Sequence, residues 1–326
     1  MGSAIIVNET GGPQVMKYTS IETPKPGPGE VLVRHTAIGV NFIDVYFRSG
    51  LYPSPTGLPF TPGAEAAGVV EAIGEGVTEV DPGDRVAYVI ATGSYRHERV
   101  VPVDRLVSIP DGIDDKTAAA MMLKGLTTQY LLRRTYDVKA GDTILIHAAA
   151  GGVGLLVCQW AKHLGATVIG TVGSEEKASL AKENGCTHTI LYREEDFVER
   201  VKEMTDGAGA HVVYDSIGKD TYPGSLECLK PFGTWVSFGQ SSGPITDFNL
   251  ALLGKNGSLF ATRPTLFNYI AAREDLNTMS KDLFDVVEKG AVSIPVNQQY
   301  SLREASAAHI ALEGRVTTGS TVLIPD

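Results

Sequence analysis

Cysteine is scarce in this chain: Cys158, Cys186 and Cys228 are three in 326 residues, and no two are close enough for a CxxC pair. That argues against a disulfide-stapled scaffold and for reduced, mostly buried thiols in a reducing compartment, so a cytoplasmic protein is expected. Long apolar runs are missing too, and no spanning helix or signal peptide is expected, hence no membrane partner. Basic residues are in deficit, 28 Lys and Arg against 38 Asp and Glu, for a net charge of −10. A broad phosphate-backbone surface is therefore disfavoured, and nucleic acid is not an expected partner. Internal repeats and low-complexity tracts are absent. What remains is ordinary: 43% hydrophobic residues and a mean hydropathy of +0.01, enough for a sizeable core, in a length that suggests two domains.

The two halves differ in rhythm. Up to about residue 125 the chain carries short β patterns such as Glu30–His35, Gly68–Ile73 and Asp84–Val89. Turn signals separate them, among them Pro26-Gly27-Pro28-Gly29 and Asp81-Pro82-Gly83-Asp84, which predicts a mostly antiparallel β domain. From about Thr127 strand and helix patterns alternate. Strands are predicted at Thr143–Ile146, Ala166–Val172, His188–Tyr192, Ala210–Asp215, Gly233–Phe238 and Ser258–Thr262, with helical patterns between the first four. Six strands in that order suit a doubly wound parallel sheet, so the fold class is α/β. The tail holds a predicted helix near Glu274–Lys289 and a last strand near Ser320–Ile324, and is expected to rejoin the first domain. A cleft between the domains is the expected ligand site.

The segment Thr143 to Gly154 supplies the chemistry. A buried strand runs into Ala149-Ala150-Gly151-Gly152-Val153-Gly154, and a helix follows through Leu155 to Leu164. This is the strand–turn–helix context of a dinucleotide fingerprint, with Ala149 in place of the first glycine. Gly151 permits the turn, Gly152 permits approach to a pyrophosphate, and Gly154 permits close helix packing, while the helix N-terminus attracts phosphate. An NAD site ends its second strand with an acid that binds the ribose 2′-hydroxyl. Here the strand ends Thr171-Val172-Gly173-Ser174, with Lys177 one turn on. A hydroxyl and an ammonium attract a 2′-phosphate that a carboxylate would repel, so NADPH is the expected cofactor. The plain alternatives are a ligand-free turn, an N-cap at Ser174 and a solvated face at Lys177.

These blocks, with Asn41–Pro53, Pro62–Val70, Val80–Val86, Leu123–Thr127, Tyr214–Ser216, Ser237–Gly239 and Thr262–Thr265, resemble the medium-chain dehydrogenase/reductase superfamily. More narrowly they are similar to NADPH:quinone oxidoreductases of the zeta-crystallin type. The resemblance implies a GroES-like substrate domain over 1–125 and 265–326, a Rossmann NADPH-binding domain over 126–264, and a homodimer, for which the exposed sixth strand is a candidate edge. It also implies further cofactor contacts. Asn41 and Tyr46 would approach the nicotinamide, and Tyr130 would lie beside the cofactor. Tyr192 would join Ser174 and Lys177, and Ser216, Phe238 and Ser241 would line later strand ends. Arg263 and Arg315 would add basic contacts. Tyr192 as a strand-end aromatic and Arg315 as a surface charge stay open. Gly314-Arg315 departs from the family ending, in which Lys follows the Gly.

Zinc members of the superfamily carry a Cys near position 41 and Gly-His-Glu in the next block; this chain has Asn41 and Gly63-Ala64-Glu65. No metal is therefore expected, and His35 and His97 read as surface or hydrogen-bonded histidines. Without a Lewis acid, simple ketone or alcohol chemistry is disfavoured. A quinone needs no such help, because the oxygen left by hydride addition is phenolate-like, with a pKa near ~10. Asn41, Tyr46 and Tyr52 are the candidate catalytic residues, with either tyrosine able to hydrogen-bond that oxygen. Packing alone is the alternative for both rings. The competing functions are an NADPH-dependent alkenal or enone double-bond reductase, and a non-catalytic RNA-binding or crystallin-like structural role.

Overall fold

The computed structural model describes residues 2–325 and divides into two compact units, residues 2–126 with 270–288 and 294–325, and residues 127–269 with 289–293. In chain order the strands are β1 (Gly2–Val7), β2 (Met16–Ile21), β3 (Glu30–Val40), β4 (Glu65–Ile73), β5 (Arg85–Val89), β6 (Glu98–Pro102) and β7 (Leu106–Ser108). Then come β8 (Thr143–Ile146), β9 (Thr167–Val172), β10 (His188–Leu191), β11 (Ala210–Asp215), β12 (Leu229–Ser237), β13 (Phe260–Thr262), β14 (Val296–Ser301) and β15 (Ser320–Ile324).

The first unit is built on β3. One edge pairs with β4 along its length, and the other pairs with β6 over Glu30–Arg34 and with β15 over Ile38–Val40. The sheet runs β14-β15-β3-β4-β5-β7 and is antiparallel except for the β14–β15 pair, while β1 and β2 form a separate hairpin. β3 is buried at most positions of Val31–Val40, Arg34 and Thr36 excepted, and its apolar segments Val31–Val33 and Ala37–Val40 flank that interruption. Ile5, Val33, Ile38, Val70, Tyr88, Leu106 and Leu323 meet in one core. Helix α1 (Phe42–Ser49) starts at a capping box, Asn41 with Asp44, and ends at Gly50 in the left-handed conformation, φ 82°. Helix α2 (Asp115–Tyr130) follows, with its residues up to Leu126 in this unit.

The second unit is a six-stranded, all-parallel sheet in the order β10-β9-β8-β11-β12-β13. The order reverses between β8 and β11, the switch point at which a doubly wound sheet opens a crevice beyond its strand C-termini. Helices α3 (Gly152–His163), α4 (Glu175–Glu183) and α5 (Phe197–Met204) cross between the first four strands. Single-turn helices at Gly224–Glu227 and Ala251–Lys255 cover the later connections, where no helical pattern was legible. β13 starts two residues later than predicted: Ser258 sits at φ 57°, in the left-handed region, and cannot extend the strand. α3 starts three residues earlier than its apolar pattern, because Gly152, Val153 and Gly154 take helical geometry at its first turn.

Candidate functional site

At the C-terminal end of β8 the chain turns through Ala148, whose φ of 56° is left-handed, and Gly151 N–H closes the turn on the Ala148 carbonyl at 2.9 Å. Gly151 then caps α3 with no side-chain acceptor on the helix N-terminus, so its first N–H groups have no side chain claiming them. A Cβ on Gly154 would lie 2.3 Å from the Ala148 carbonyl oxygen and 2.7 Å from the Ala149 carbonyl carbon. Only glycine lets the helix pack this close. Ala149, where the fingerprint has glycine, is fully buried. Its methyl is accommodated by the neighbouring strand: a Cβ on Gly170 would lie 2.5 Å from the Ala149 Cβ. The turn therefore keeps its close packing with alanine in the place of the first glycine.

At the tip of β9, Ser174 caps α4 and its Oγ accepts the Lys177 N–H at 3.4 Å. The N-cap reading of Ser174 is thus correct as local structure, and it leaves the hydroxyl at the strand tip. β10 pairs Leu191 with Val172, which sets Tyr192 beside Gly173. The Tyr192 hydroxyl lies 3.0 Å from where a Gly173 Cβ would stand, so the phenol leans over the missing side chain. Register thus gathers Ser174, Lys177 and Tyr192 at one strand end; no carboxylate terminates the strand itself, and the Glu176 carboxylate in the first turn of α4 bonds the Ser174 side chain.

Asp215, closing β11, is a hub that the sequence did not announce. Its Oδ1 accepts from Ile217 N at 2.9 Å, Gly218 N at 3.0 Å and Thr221 Oγ1 at 2.9 Å. Its Oδ2 accepts from Ser225 Oγ at 2.8 Å and Trp235 Nε1 at 3.4 Å. Burial pushes the carboxyl up, but the neighbouring His147 and these donors outweigh it and hold the pKa below the ordinary 3.8. Ser225 also meets His147 Nε2 at 3.1 Å, and His147 Nδ1 meets Thr171 Oγ1 at 3.0 Å. One polar chain therefore ties the ends of β8, β9 and β11 together. Around it, Phe238 N donates to the Asp215 carbonyl at 2.8 Å and Ser241 N to the Ser216 carbonyl at 3.1 Å. The predicted residues Ser216, Phe238 and Ser241 thus share one loop cluster. Arg263 is exposed and its Nη1 donates to the carbonyls of Ser237 at 2.7 Å and Gly239 at 2.9 Å. Tyr130 is buried, with its ring stacked on Tyr269 at 4.5 Å and an interplanar angle of 4°.

In the first unit, Asn41 is buried and its polar atoms are engaged. Its side chain accepts the Asp44 N–H in the capping box, and Nδ2 donates to Glu65 Oε1 at 2.8 Å. Glu65 is fully buried and also accepts from Leu123 N at 2.6 Å and Lys124 Nζ at 3.2 Å. Glu65 is thus a carboxylate hydrogen-bonded within its own unit. Tyr46 and Tyr52, both half-buried, meet edge to face at 5.1 Å between centroids, and Tyr52 N donates to the Tyr46 carbonyl at 3.0 Å. Arg315 is exposed, with φ 57°, just past the helix Ala305–Glu313. Asn41, Tyr46, Tyr52 and Arg315 belong to this unit, and the other predicted residues to the second.

His35 and His309 are buried in the same unit. His35 bonds the Tyr88 hydroxyl at 2.8 Å and the Arg96 carbonyl at 2.7 Å; His309 bonds the Tyr95 hydroxyl at 3.0 Å and Arg48 Nη1 at 3.3 Å. Burial first, with nearby arginines adding to it, lowers each from the ordinary 6.5 to about 3. Buried Asp44, in contact with Tyr95, goes the other way, up from 3.8 to about 7, chiefly by burial. The unfolded chain takes up two histidine protons as pH falls below 6.5, and the folded chain withholds both until about 3. Their contribution to stability is therefore lost progressively across that window. Asp44 contributes the opposite slope between its two values, with one proton against two. The thermal midpoint is expected to be lower at pH 4.5 than at pH 7.5, and a scan showing equal or higher midpoints in acid would refute these assignments.

Among the described residues no helix is long and apolar enough to cross a membrane, and no three His, Cys, Asp or Glu side chains converge as a metal site. The zinc-binding dehydrogenase family matches residues 152–284, and the alcohol dehydrogenase GroES-like domain family matches 27–111. A quinone oxidoreductase of Pseudomonas aeruginosa is 55% identical, with 97% of each chain covered. A 2-haloacrylate reductase of Burkholderia sp. is 47% identical, covering 100% of this chain and 99% of that one. The crystal structure of the Escherichia coli quinone oxidoreductase complexed with NADPH superposes with a TM-score of 0.97 at 48% identity, covering 99% of this chain and 100% of that one. Whole-length identity and a shared two-unit architecture leave one conclusion: the chain belongs to the zeta-crystallin-type quinone oxidoreductases of the medium-chain dehydrogenase/reductase superfamily.

Proposed function

We propose that this protein is an NADPH-dependent quinone reductase. The observation that carries the reading is the tip of β9. Ser174, Lys177 and Tyr192 gather there without a terminal carboxylate, in a chain about half identical over its whole length to quinone oxidoreductases. The cradle suits the cofactor: the open Gly151–Gly154 turn receives the pyrophosphate, and Ser174, Lys177 and Tyr192 receive the 2′-phosphate. Gly151, Gly152, Val153 and Gly154 contribute backbone, while Ser216, Phe238, Ser241 and Arg263 line later strand ends. Tyr130 completes the contacts of the second unit, which carries most of the NADPH binding, while Asn41, Tyr46 and Arg315 are the first unit's share of the assignment beside its handling of the substrate. NADPH supplies a hydride equivalent when bound.

The chain's own residues then position and protonate. Tyr46 and Tyr52 hydrogen-bond the quinone oxygens, and their phenols hold the proton that the product oxygen needs. The buried Glu65–Asn41–Lys124 cluster holds the start of α1, and with it Tyr46, in place. The second reading is reduction of an activated double bond, favoured by the kinship to a 2-haloacrylate reductase. It leans harder on a placed proton donor.

Steady-state NADPH oxidation with a 1,4-quinone and, in parallel, with an α,β-unsaturated aldehyde separates the two. Faster quinone turnover supports the first reading, and faster alkenal turnover transfers the function to the second. Tyr46→Phe and Tyr52→Phe are expected to lower kcat by roughly tenfold with NADPH affinity unchanged, the scale of one charge-assisted hydrogen bond; unaltered turnover would assign both rings to packing. We place the protein in the cytoplasm on its three buried free thiols, a reading that cell fractionation checks. We also infer a homodimer through the edge strand β13, where Phe260 is 62% exposed and Phe232, on the adjoining β12, is 70% exposed. Sedimentation should give a dimer that Phe260→Asp dissociates, and a monomeric parent protein would sink the inference.

A further inference from the structure

Two arginines of the first unit lack counter-charges. Among the described residues neither Arg96 nor Arg99 forms an ion pair; their side-chain partners are neutral. Arg96 Nη2 donates to Thr61 Oγ1 at 3.5 Å, and Arg99 Nη1 donates to Tyr88 Oη at 3.4 Å and Ser94 Oγ at 3.3 Å. Arg99 also stands over the Tyr88 ring, 5.1 Å from its centroid. The acid nearest in sequence, Glu98, is bonded to Thr23 at 2.5 Å. The Nε–H of Arg96 is buried with no acceptor. Burial, and then the charge of Arg99, weaken the protonated form of Arg96. Two adjacent guanidiniums without a carboxylate are an uncompensated cost in a chain with a net charge of −10.

Both line one pocket of about 370 Å³. Thr56 and Thr61 add hydroxyl donors and acceptors, and Ile6 and Phe60 give it an apolar wall. A concavity of this size that combines charged, hydroxyl and apolar lining is the layout of a small-molecule site. A monocarboxylate would neutralise one guanidinium and leave the other bare. A phosphomonoester carries nearly two negative charges at neutral pH, and its three oxygens match the paired donors of two arginines. The pocket is larger than a bare oxyanion requires, and its apolar wall fits an organic substituent.

We propose that this pocket, distinct from the proposed cofactor cradle, binds the phosphate of a small phosphomonoester between Arg96 and Arg99. Its carbon part rests on Ile6 and Phe60. The reading does not depend on the reaction assigned above.

Calorimetric titration of the whole protein at low salt and pH 8 tests it, with phenyl phosphate as probe and with inorganic phosphate, benzoate and phenol as comparisons. Phenyl phosphate is expected to bind saturably at one site, roughly tenfold tighter than benzoate, the scale of one additional charge-assisted bond. Arg96→Gln and Arg99→Gln are each expected to weaken it by roughly tenfold or more. Should either variant fold poorly, the unmodified protein still gives an answer. Phenyl phosphate should slow phenylglyoxal labelling of Arg96 and Arg99, read by mass spectrometry. Absence of saturable binding in the millimolar range overturns the proposal, as does equal affinity for benzoate. So does binding that NADPH displaces without either arginine having been protected, which would assign the probe to the cofactor's own phosphate contacts.

Discussion

Ser174→Asp is expected to reverse the cofactor preference. Aspartate caps a helix as well as serine does, so α4 keeps its N-terminus and the fold is undisturbed. The substitution puts a carboxylate at the tip of β9, where a site for the non-phosphorylated cofactor carries one. A 2′-phosphate then meets a like charge and loses a donor. The combined penalty, about 3 kcal/mol, corresponds to a fall of roughly 100-fold in kcat/KM for NADPH. The value for NADH should hold or rise, because its ribose hydroxyls can donate to the new acid. Lys177→Ala removes only the attraction and should lower kcat/KM for NADPH by roughly tenfold with NADH unchanged. The four kinetic constants decide the matter. Equal losses for both cofactors would mean that the substitutions damage the cradle in general, and unchanged constants would remove Ser174 and Lys177 from the site.

Asp215→Ala is expected to be the most destabilising single change in the second unit. It would strand the N–H groups of Ile217 and Gly218, the hydroxyls of Thr221 and Ser225, and the Trp235 indole N–H, all of which donate to one carboxylate. Among the described residues no Lys or Arg is paired with Asp215, so His147 and these donors are what keep it charged. Removing one member of a buried charged network costs about 3–5 kcal/mol. At the usual conversion for a domain of this size, the unfolding transition should fall by roughly 10 °C. The Ser225–His147–Thr171 chain would lose its anchor as well, so NADPH affinity should fall with stability. Asp215→Asn, which retains an acceptor, should be milder. Calorimetric scans of the two variants test the account, and a shift of less than about 2 °C for the alanine variant would show that the network carries little.

The local patterns were readable because their signals are local. Alternating strand and helix after Thr127, the buried strand before the glycines, and the missing acid after Val172 are each contained in one short window. The boundaries that slipped did so for backbone reasons with no strong sequence signature, such as the left-handed Ser258 that delays β13. β14 and the hairpin β1–β2 had weak alternation and were not foreseen. Among the candidate site residues, Ser174, Lys177 and Tyr192 could be grouped from sequence because adjacent strands of a βαβ unit bring successive strand ends together. Asn41 shows the limit. Its place before α1 was visible, but its engagement with Glu65 requires β3 and β4 to pair in the register that sets Gly39 opposite Glu65.

By itself the sequence determined the class of fold, the position of the dinucleotide turn, and the charge preference at the tip of the second strand. Each follows from the period of apolar residues, from glycine at a fixed spacing, or from the presence or absence of one acid. Tertiary structure alone decided what distant residues mean to each other. Gly170 makes room for the alanine that replaces a fingerprint glycine, Asp215 becomes a hub, and Arg96 and Arg99 line one pocket without an acid. The physical reason is that these are pairings across strands and loops. Packing and desolvation act between residues that neighbour in space, and sequence periodicity carries no record of which strand lies beside which.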